Sequence, residues 1–178
     1  MMLSDQDILN CIKNGEIRIH PFKEKIVKAS GINLHLGEHL LRPEAGKVVD
    51  VKNKIVPDYT SIKITSDNPY SLKPGEFVLG HTYENVGIDA KLALLIEGRS
   101  TLARVGLTIV QTAMMVYPGH RDRAITLEIA NHGCNPILLY PKMKIARAAF
   151  FELRTPASEL YDDYGKYKEQ KIVGPPIF

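Results

Sequence analysis

Three groups of residues in this chain have the types and spacing to do chemistry. The densest is Glu97-Gly98-Arg99-Ser100-Thr101-Leu102-Ala103-Arg104-Val105-Gly106-Leu107. It follows a strand-like run and opens a short helix. Backbone N–H groups at such a turn, two hydroxyls and the Arg99 guanidinium all suit phosphate oxygens. Arg104 lies one helical turn past Ser100 and shares its face. A capped surface helix, with Ser100 as the cap, is the plain structural alternative.

The second group is Ala124-Ile125-Thr126-Leu127-Glu128-Ile129. Alternation puts Ile125, Leu127 and Ile129 on one face of a strand and Thr126 and Glu128 on the other. If the apolar face fills the core, Glu128 points to a cleft or to solvent. A carboxylate held in a semi-buried cleft can shuttle protons; a solvated strand glutamate does nothing. The third group is Lys166-Tyr167-Lys168-Glu169-Gln170 near the C-terminus. A lysine, a phenol and an amide can hold a polyphosphate, and a segment that closes over substrate is a common device. A solvated tail is the alternative.

The elements that must carry these groups are mostly strands. Leu3 to Gly15 reads as a helix, capped by Ser4, with Asp5 and Asp7 in its first turn and Ile8, Cys11 and Ile12 on one face. The period then shifts from helical to alternating. Ile17–Ile19, Ile32–Leu36, Val48–Val51, Ser61–Thr65, Phe77–Thr82, Ala93–Glu97, Leu107–Val116, Ala124–Ala130, Ile137–Tyr140 and Lys144–Leu153 read as strands. Turn signals such as Asn68-Pro69 and Lys73-Pro74-Gly75 separate them. Short strands at this spacing predict an all-β sandwich, jelly roll or barrel. Arg99 to Val105 is the one short internal helix. From Thr155 the alternation stops, which predicts a β domain over 1–154 and a tail or lid over 155–178. That tail is expected to be disordered, or ordered only against a ligand or a neighbouring subunit.

Composition narrows the function classes. At 178 residues the chain fits one domain with a sizeable core. A net charge of +3, with no Lys/Arg run longer than two, argues against nucleic acid as a partner. No stretch approaches roughly 18 apolar residues, so no membrane helix is expected. Cys11 and Cys134 form no disulfide pattern and read as buried thiols in a reducing cytoplasm, which sets the expected localisation. The six histidines are scattered, and the His-x-Glu and Pro-Cys-x-x-Cys signature of the zinc nucleobase deaminases is missing, so no metal site is expected.

Taken together, the motifs resemble the dCTP deaminase/dUTPase superfamily. Gly98 to Leu107 is similar, almost letter for letter, to its Gly-Arg-Ser-Ser-Leu-Ala-Arg-Leu-Gly-Leu. Leu3-Ser4-Asp5-Gln6-Asp7-Ile8, Gln111-Thr112-Ala113, Pro118-Gly119 with Ile125-Thr126-Leu127-Glu128, and Lys166-Tyr167-x-x-Gln170 resemble further stretches, in the family's order, with the deaminase branch the better match. The resemblance implies a dUTPase-like distorted jelly roll or β-barrel and a homotrimer with sites at subunit interfaces. It implies dCTP, dUTP or dTTP-type nucleotides as ligands, with Mg²⁺ carried by the triphosphate and no zinc. It makes Glu128 the general base, with Ser100 and the Ala113 carbonyl positioning water and Arg104 holding Glu128. Arg99, Thr101, Lys166, Tyr167 and Gln170 would meet the phosphates, and Gln111 and Tyr117 would line the nucleotide pocket. The implied reaction is deamination of dCTP to dUTP and ammonia. The alternatives are dUTP diphosphatase activity, alone or combined, and a non-catalytic nucleotide binder.

The departures from the family pattern lie on the rim. Tyr117 stands where Ile-Asp-Pro-Gly carries its aspartate, which speaks against dUTP hydrolysis, since a phenol is no base at neutral pH. Asp122 is a candidate to take over that carboxylate's role. His120 replaces an aromatic residue, Met114-Met115 replaces a more polar or Gly-Trp pair, and Asn33 and His35 stand where Asp and Arg are common.

Overall fold

The computed structural model describes residues 1–178. The N-terminal helix α1 (Asp5–Lys13) forms as its caps dictate. The Asp7 N–H donates to the Ser4 hydroxyl (3.2 Å) and the Ser4 N–H to the Asp7 carboxylate (2.9 Å), a closed capping box. Ile8 seats the helix on the body, and Asn14 ends it just before Gly15, whose φ of 80° needs a glycine.

The rest is two sheets, a small ladder and connecting turns. The first sheet has the order β5 (Tyr59–Lys63), β4 (His39–Pro43), β7 (Phe77–Ile88), β11 (Arg123–Asn131), β9 (Leu107–Thr108), with β1 (Ile17–His20) also on β7. The second runs β10 (Met115–Val116), β8 (Leu92–Gly98), β13 (Lys144–Glu152), β3 (Gly31–His35), β2 (Val27–Lys28). The ladder pairs β6 (Tyr70–Leu72) with β12 (Ile137–Leu139). Every pairing between these strands is antiparallel. On β3, Ile32, Asn33 and Leu34 are all buried, so its alternating residue types do not separate core from solvent. Strand β11 keeps the separation: Ile125, Leu127 and Ile129 enter one shared core of 27 buried residues. The molecule is an all-β, distorted jelly-roll sandwich, and its sheets do not close into a barrel.

Several expected elements differ. Val48–Val51 is not a strand: Val48, Val49 and Val51 are exposed in a turn that follows β4. Asp50 alone finds a partner, in an isolated bridge to Ile55, and β propensity without a partner strand makes no sheet. Leu107–Val116 is not one strand either. Its start, β9, pairs in the first sheet and its end, β10, in the second, so the residues between must cross from one to the other. Strands β2, β4 and β6 lie where the sequence pattern predicts none; β4 ends in Pro43 and shows no clean alternation. The short internal helix is present as α2 (Ser100–Ala103).

The segment after residue 154 is not a free tail. It carries a helical turn, α3 (Tyr161–Tyr164), and folds back on its own chain with Val173 buried. Of the cysteines, Cys11 is half-buried but Cys134 is exposed, contrary to the expectation of two buried thiols. No helix is long and apolar enough to cross a membrane.

Candidate active site

Two cavities hold the candidate residues. The larger, about 630 Å³, is lined by Gln111, Thr112, Ala113, Met115, Val116 and Tyr117 on the crossing segment, and by Arg123, Ala124, Ile125, Thr126 and Glu128 on β11. Tyr59 and Phe77 come from β5 and β7, and Tyr161, Tyr167, Gln170, Gly174 and Pro176 from the C-terminal segment. Glu128 is the one carboxylate among the lining residues.

Its placement follows from how β11 and the crossing segment meet. The Glu128 N–H donates to the Ile109 carbonyl (2.9 Å), and the Gln111 N–H donates to Glu128 Oε2 (2.9 Å). Where the chain leaves the first sheet, a carboxylate takes over as the partner for a backbone donor. Glu128 Oε1 has no protein hydrogen bond, and the side chain is half-buried. This is the semi-buried cleft the alternation of β11 left open.

Arg123 reaches the same cavity where the β11–β7 ladder is irregular. Asn85 faces Ala124 and His81 faces Thr126, so β7 residues 82–84 bulge opposite Ile125. Parity alone would put Arg123 with Ile125 and Leu127, on the core side, yet it lines the cavity with Thr126 and Glu128. The Ile125 N–H freed by the bulge donates to the Thr82 hydroxyl (2.9 Å), so it is not lost.

The C-terminal segment forms one wall. The Tyr161 N–H donates to the Pro118 carbonyl (2.8 Å), and Gln170 Nε2 donates to Thr126 Oγ1 (3.0 Å). Tyr167 accepts at its hydroxyl from the Ile177 N–H (3.1 Å). Gly119 lets the segment come this close: its φ is 79°, and a Cβ there would stand 2.6 Å from that of Leu160. His120 is buried beneath, its Nδ1 3.0 Å from the Val86 carbonyl and its ring beside Tyr161. Burial first, then the nearby Arg123 charge, pushes its imidazole down to about 4.

The second cavity, about 560 Å³, is lined by Arg99, Ser100 and Thr101 with Glu97, Arg147 and the start of the crossing segment. Arg99 Nη1 donates to Asn33 Oδ1 (2.6 Å), so Asn33 fixes the guanidinium. His35 is also used: its N–H donates to the buried Glu84 carboxylate (2.9 Å), and its Nδ1 lies 2.5 Å from the other oxygen.

The candidates therefore divide. Glu128, Gln111, Ala113, Tyr117, Tyr167 and Gln170 share the larger cavity, while Arg99, Ser100 and Thr101 line the other. Arg104, exposed at the end of α2, and Lys166, also exposed, line neither. Within one chain, Ser100 and Arg104 are not brought to Glu128. Asp122 is not a substitute cavity acid: it accepts from Arg18 Nε (2.9 Å), in a cluster that also holds Asp89. Arg123, Thr126, Tyr59 and Tyr161 also line the larger cavity, and none of them is assigned a role from the sequence. Thr126 has a signal, since it shares a face with Glu128; Tyr59 and Tyr161 carry no local one. No cluster of three or more His, Cys, Asp or Glu side chains is arranged to hold a metal ion.

Comparison with known proteins decides the family. A model of the dCTP deaminase-like family matches residues 2–153. The chain belongs to that family. This dCTP deaminase-like protein is 38% identical over 176 residues to a Streptomyces coelicolor relative named "dCTP deaminase, dUMP-forming", covering 96% of this chain and 92% of the relative. A Halobacterium salinarum relative of the same name is 35% identical, covering 98% and 92% of the two chains. Among solved structures, the 2′-deoxycytidine 5′-triphosphate deaminase of Agrobacterium tumefaciens superposes with a TM-score of 0.64 at 15% identity. That match covers 84% of this chain and 46% of the longer one. The native EIAV dUTPase superposes with a TM-score of 0.51 at 14% identity, covering 83% and 96%. These two likenesses bear on the fold of the dCTP deaminase-like protein, which they place with the dUTPase-like jelly rolls.

Proposed function

We propose that this protein deaminates dCTP by hydrolysis, without zinc, and that Glu128 moves the protons. The observation that carries the reading is a single carboxylate in a cavity large enough for a pyrimidine nucleotide, with one oxygen held by the Gln111 N–H. The family membership and the names of the relatives supply the substrate.

In this reading Glu128 takes a proton from water as the oxygen bonds to C4 of cytosine. The C4–N4 bond then breaks. Of the water's two protons, one ends on ring N3 and the other leaves with nitrogen as ammonia. A carboxylate relays both, one after the other. The Ala113 carbonyl, also in this cavity, positions the water with Ser100. Arg104 holds the Glu128 carboxylate and offsets charge that develops on the ring. Arg99, Thr101, Lys166, Tyr167 and Gln170 meet the triphosphate, which brings its own Mg²⁺.

Ser100 and Arg104 can serve Glu128 only from another copy of the chain. The division of candidates between two surfaces supports a symmetric homo-oligomer in which each chain lends α2 to a neighbour's larger cavity; the family resemblance makes that oligomer a trimer.

A second reading is favoured by the names of the relatives. They are dUMP-forming, so the product would leave as dUMP and diphosphate rather than as dUTP. Against it stands Tyr117, a phenol where an acid is usual, and the lack of a second carboxylate in the larger cavity. A third reading, a non-catalytic binder, predicts only that a nucleotide raises Tm. One experiment divides them: dCTP and Mg²⁺ are added, and ammonia, dUTP, dUMP and diphosphate are followed. Ammonia is expected from the wild type, and Glu128→Gln should lower kcat by at least about a hundred-fold. No ammonia from the wild type, or an undiminished rate in the variant, overturns the proposal.

A further inference from the structure

Arg123 is not needed by the chemistry above, yet it is the most heavily engaged cation at the cavity. Its Nη2 is paired with Asp162 Oδ1 and its Nη1 donates to the Lys168 carbonyl. The Tyr161 ring lies under its guanidinium, 5.6 Å away. Arg123 and Asp162 have only 11% and 12% of their side-chain surface exposed, and Arg123 Nε is buried without a partner. Arg121, which is exposed, holds the other Asp162 oxygen at 2.8 Å. A guanidinium shielded from water in this way needs its anion, because a carbonyl and a ring face offset only part of its charge.

We propose that Arg123 is a positioning residue for the nucleotide site: paired with Asp162, it fastens the C-terminal segment over the cavity before any nucleotide arrives. The inference rests on the nucleotide reading only for its kinetic consequence. Its geometric basis is that one side chain grips the segment at two points, Asp162 on α3 and the Lys168 carbonyl beyond it. Between and just after those points stand Tyr167 and Gln170, which form the cavity wall. A neutral anchor such as the Gln170–Thr126 hydrogen bond faces solvent at Thr126 and competes with water; the shielded ion pair does not. Fixing the wall in advance spares the nucleotide the entropy of ordering it.

The test uses the full-length protein and two readouts. The first is trypsin cleavage without nucleotide. Lys166, Lys168 and Lys171 supply cleavage points, and the wild type should be cut there slowly. Asp162→Asn and Arg123→Gln should be cut there about tenfold faster while residues 1–153 stay intact, because local opening governs cleavage. Saturating dCTP should restore protection. The second is kinetics: Asp162→Asn should raise KM about tenfold with kcat within about twofold, the mark of lost binding rather than lost chemistry. Asp162 lies outside both sheets, so that variant keeps the fold even if Arg123→Gln does not. Unchanged cleavage in Asp162→Asn, or a fall in kcat at constant KM, overturns the proposal. Faster cleavage in a protein that never releases ammonia would leave the fastening intact and remove the deaminase reading instead.

Discussion

His120 shows how one buried side chain makes stability depend on pH. Burial keeps its ring neutral, helped by the Arg123 cation and opposed by the Val86 carbonyl. The folded chain therefore holds this imidazole near 4, against an ordinary value of 6.5. Between those two values the unfolded chain binds a proton that the folded chain refuses. The contribution is complete above the unfolded value and is lost as pH falls towards the folded one; it is of the order of 3 kcal/mol. Urea denaturation at pH 7 and pH 4.5 should show this loss in the wild type. In His120→Gln, which can still donate to Val86, the drop between the two pH values should shrink by about 2 kcal/mol. An equal drop in both proteins would mean that His120 is not the titrating group. The same residue is legible in sequence only as a departure on the rim; its burial cannot be read there, because it depends on α3 lying over it.

At the scale of elements, the join between α2 and the end of β11 is the tightest point near the second cavity. Gly106 has a φ of 88°, and a Cβ there would stand 2.2 Å from the backbone nitrogen of Gly133. Both conditions exclude a side chain. Gly106→Ala should cost roughly 2 kcal/mol or more, read as a lower urea midpoint with an unchanged slope. If the midpoint stays where it is, the two loops are free to part. What is legible here follows from local rules. The Ser4 cap of α1, the alternation of β11 and the short helix after Gly98 are written in neighbouring residues, and all three form, though Arg99 rather than Ser100 stands at the cap of α2. What is not legible depends on partners far away in the chain. Val48–Val51 has the composition of a strand but pairs only at Asp50, in a single bridge to Ile55. Residues 107–116 look continuous, yet they change sheets, and it is that change that brings the Gln111 N–H to Glu128. Likewise, the chemistry-bearing residue types are visible in sequence, but Arg123 is hidden because the β7 bulge beside it has no signature in its own neighbours.

The whole molecule raises the question of whether its two separate cavities make one site between copies. If α2 of one copy completes the larger cavity of the next, neither Glu128→Gln nor Ser100→Ala should be active alone, and a mixture should be. Random assembly of equal amounts pairs an intact Glu128 with an intact Ser100 in about one site in four. Refolding the two inactive variants together should thus return about a quarter of wild-type ammonia release, while mixing without subunit exchange should return none. Absence of any recovery after verified exchange would place both residues in the same chain's site, or remove Ser100 from it.

The central strand β7 also shapes how the protein must be made. Synthesis proceeds from the N-terminus, and β7 leaves the ribosome well before β11, the strand that covers its far side. In that interval the nascent chain presents up to 12 residues of strand with open N–H and C=O groups, the kind of border to which other polypeptides add. Translation that stalls after β7 has emerged and before β11 has would hold the chain in this half-built state, and a chaperone that shields bare strand borders would matter most in that interval.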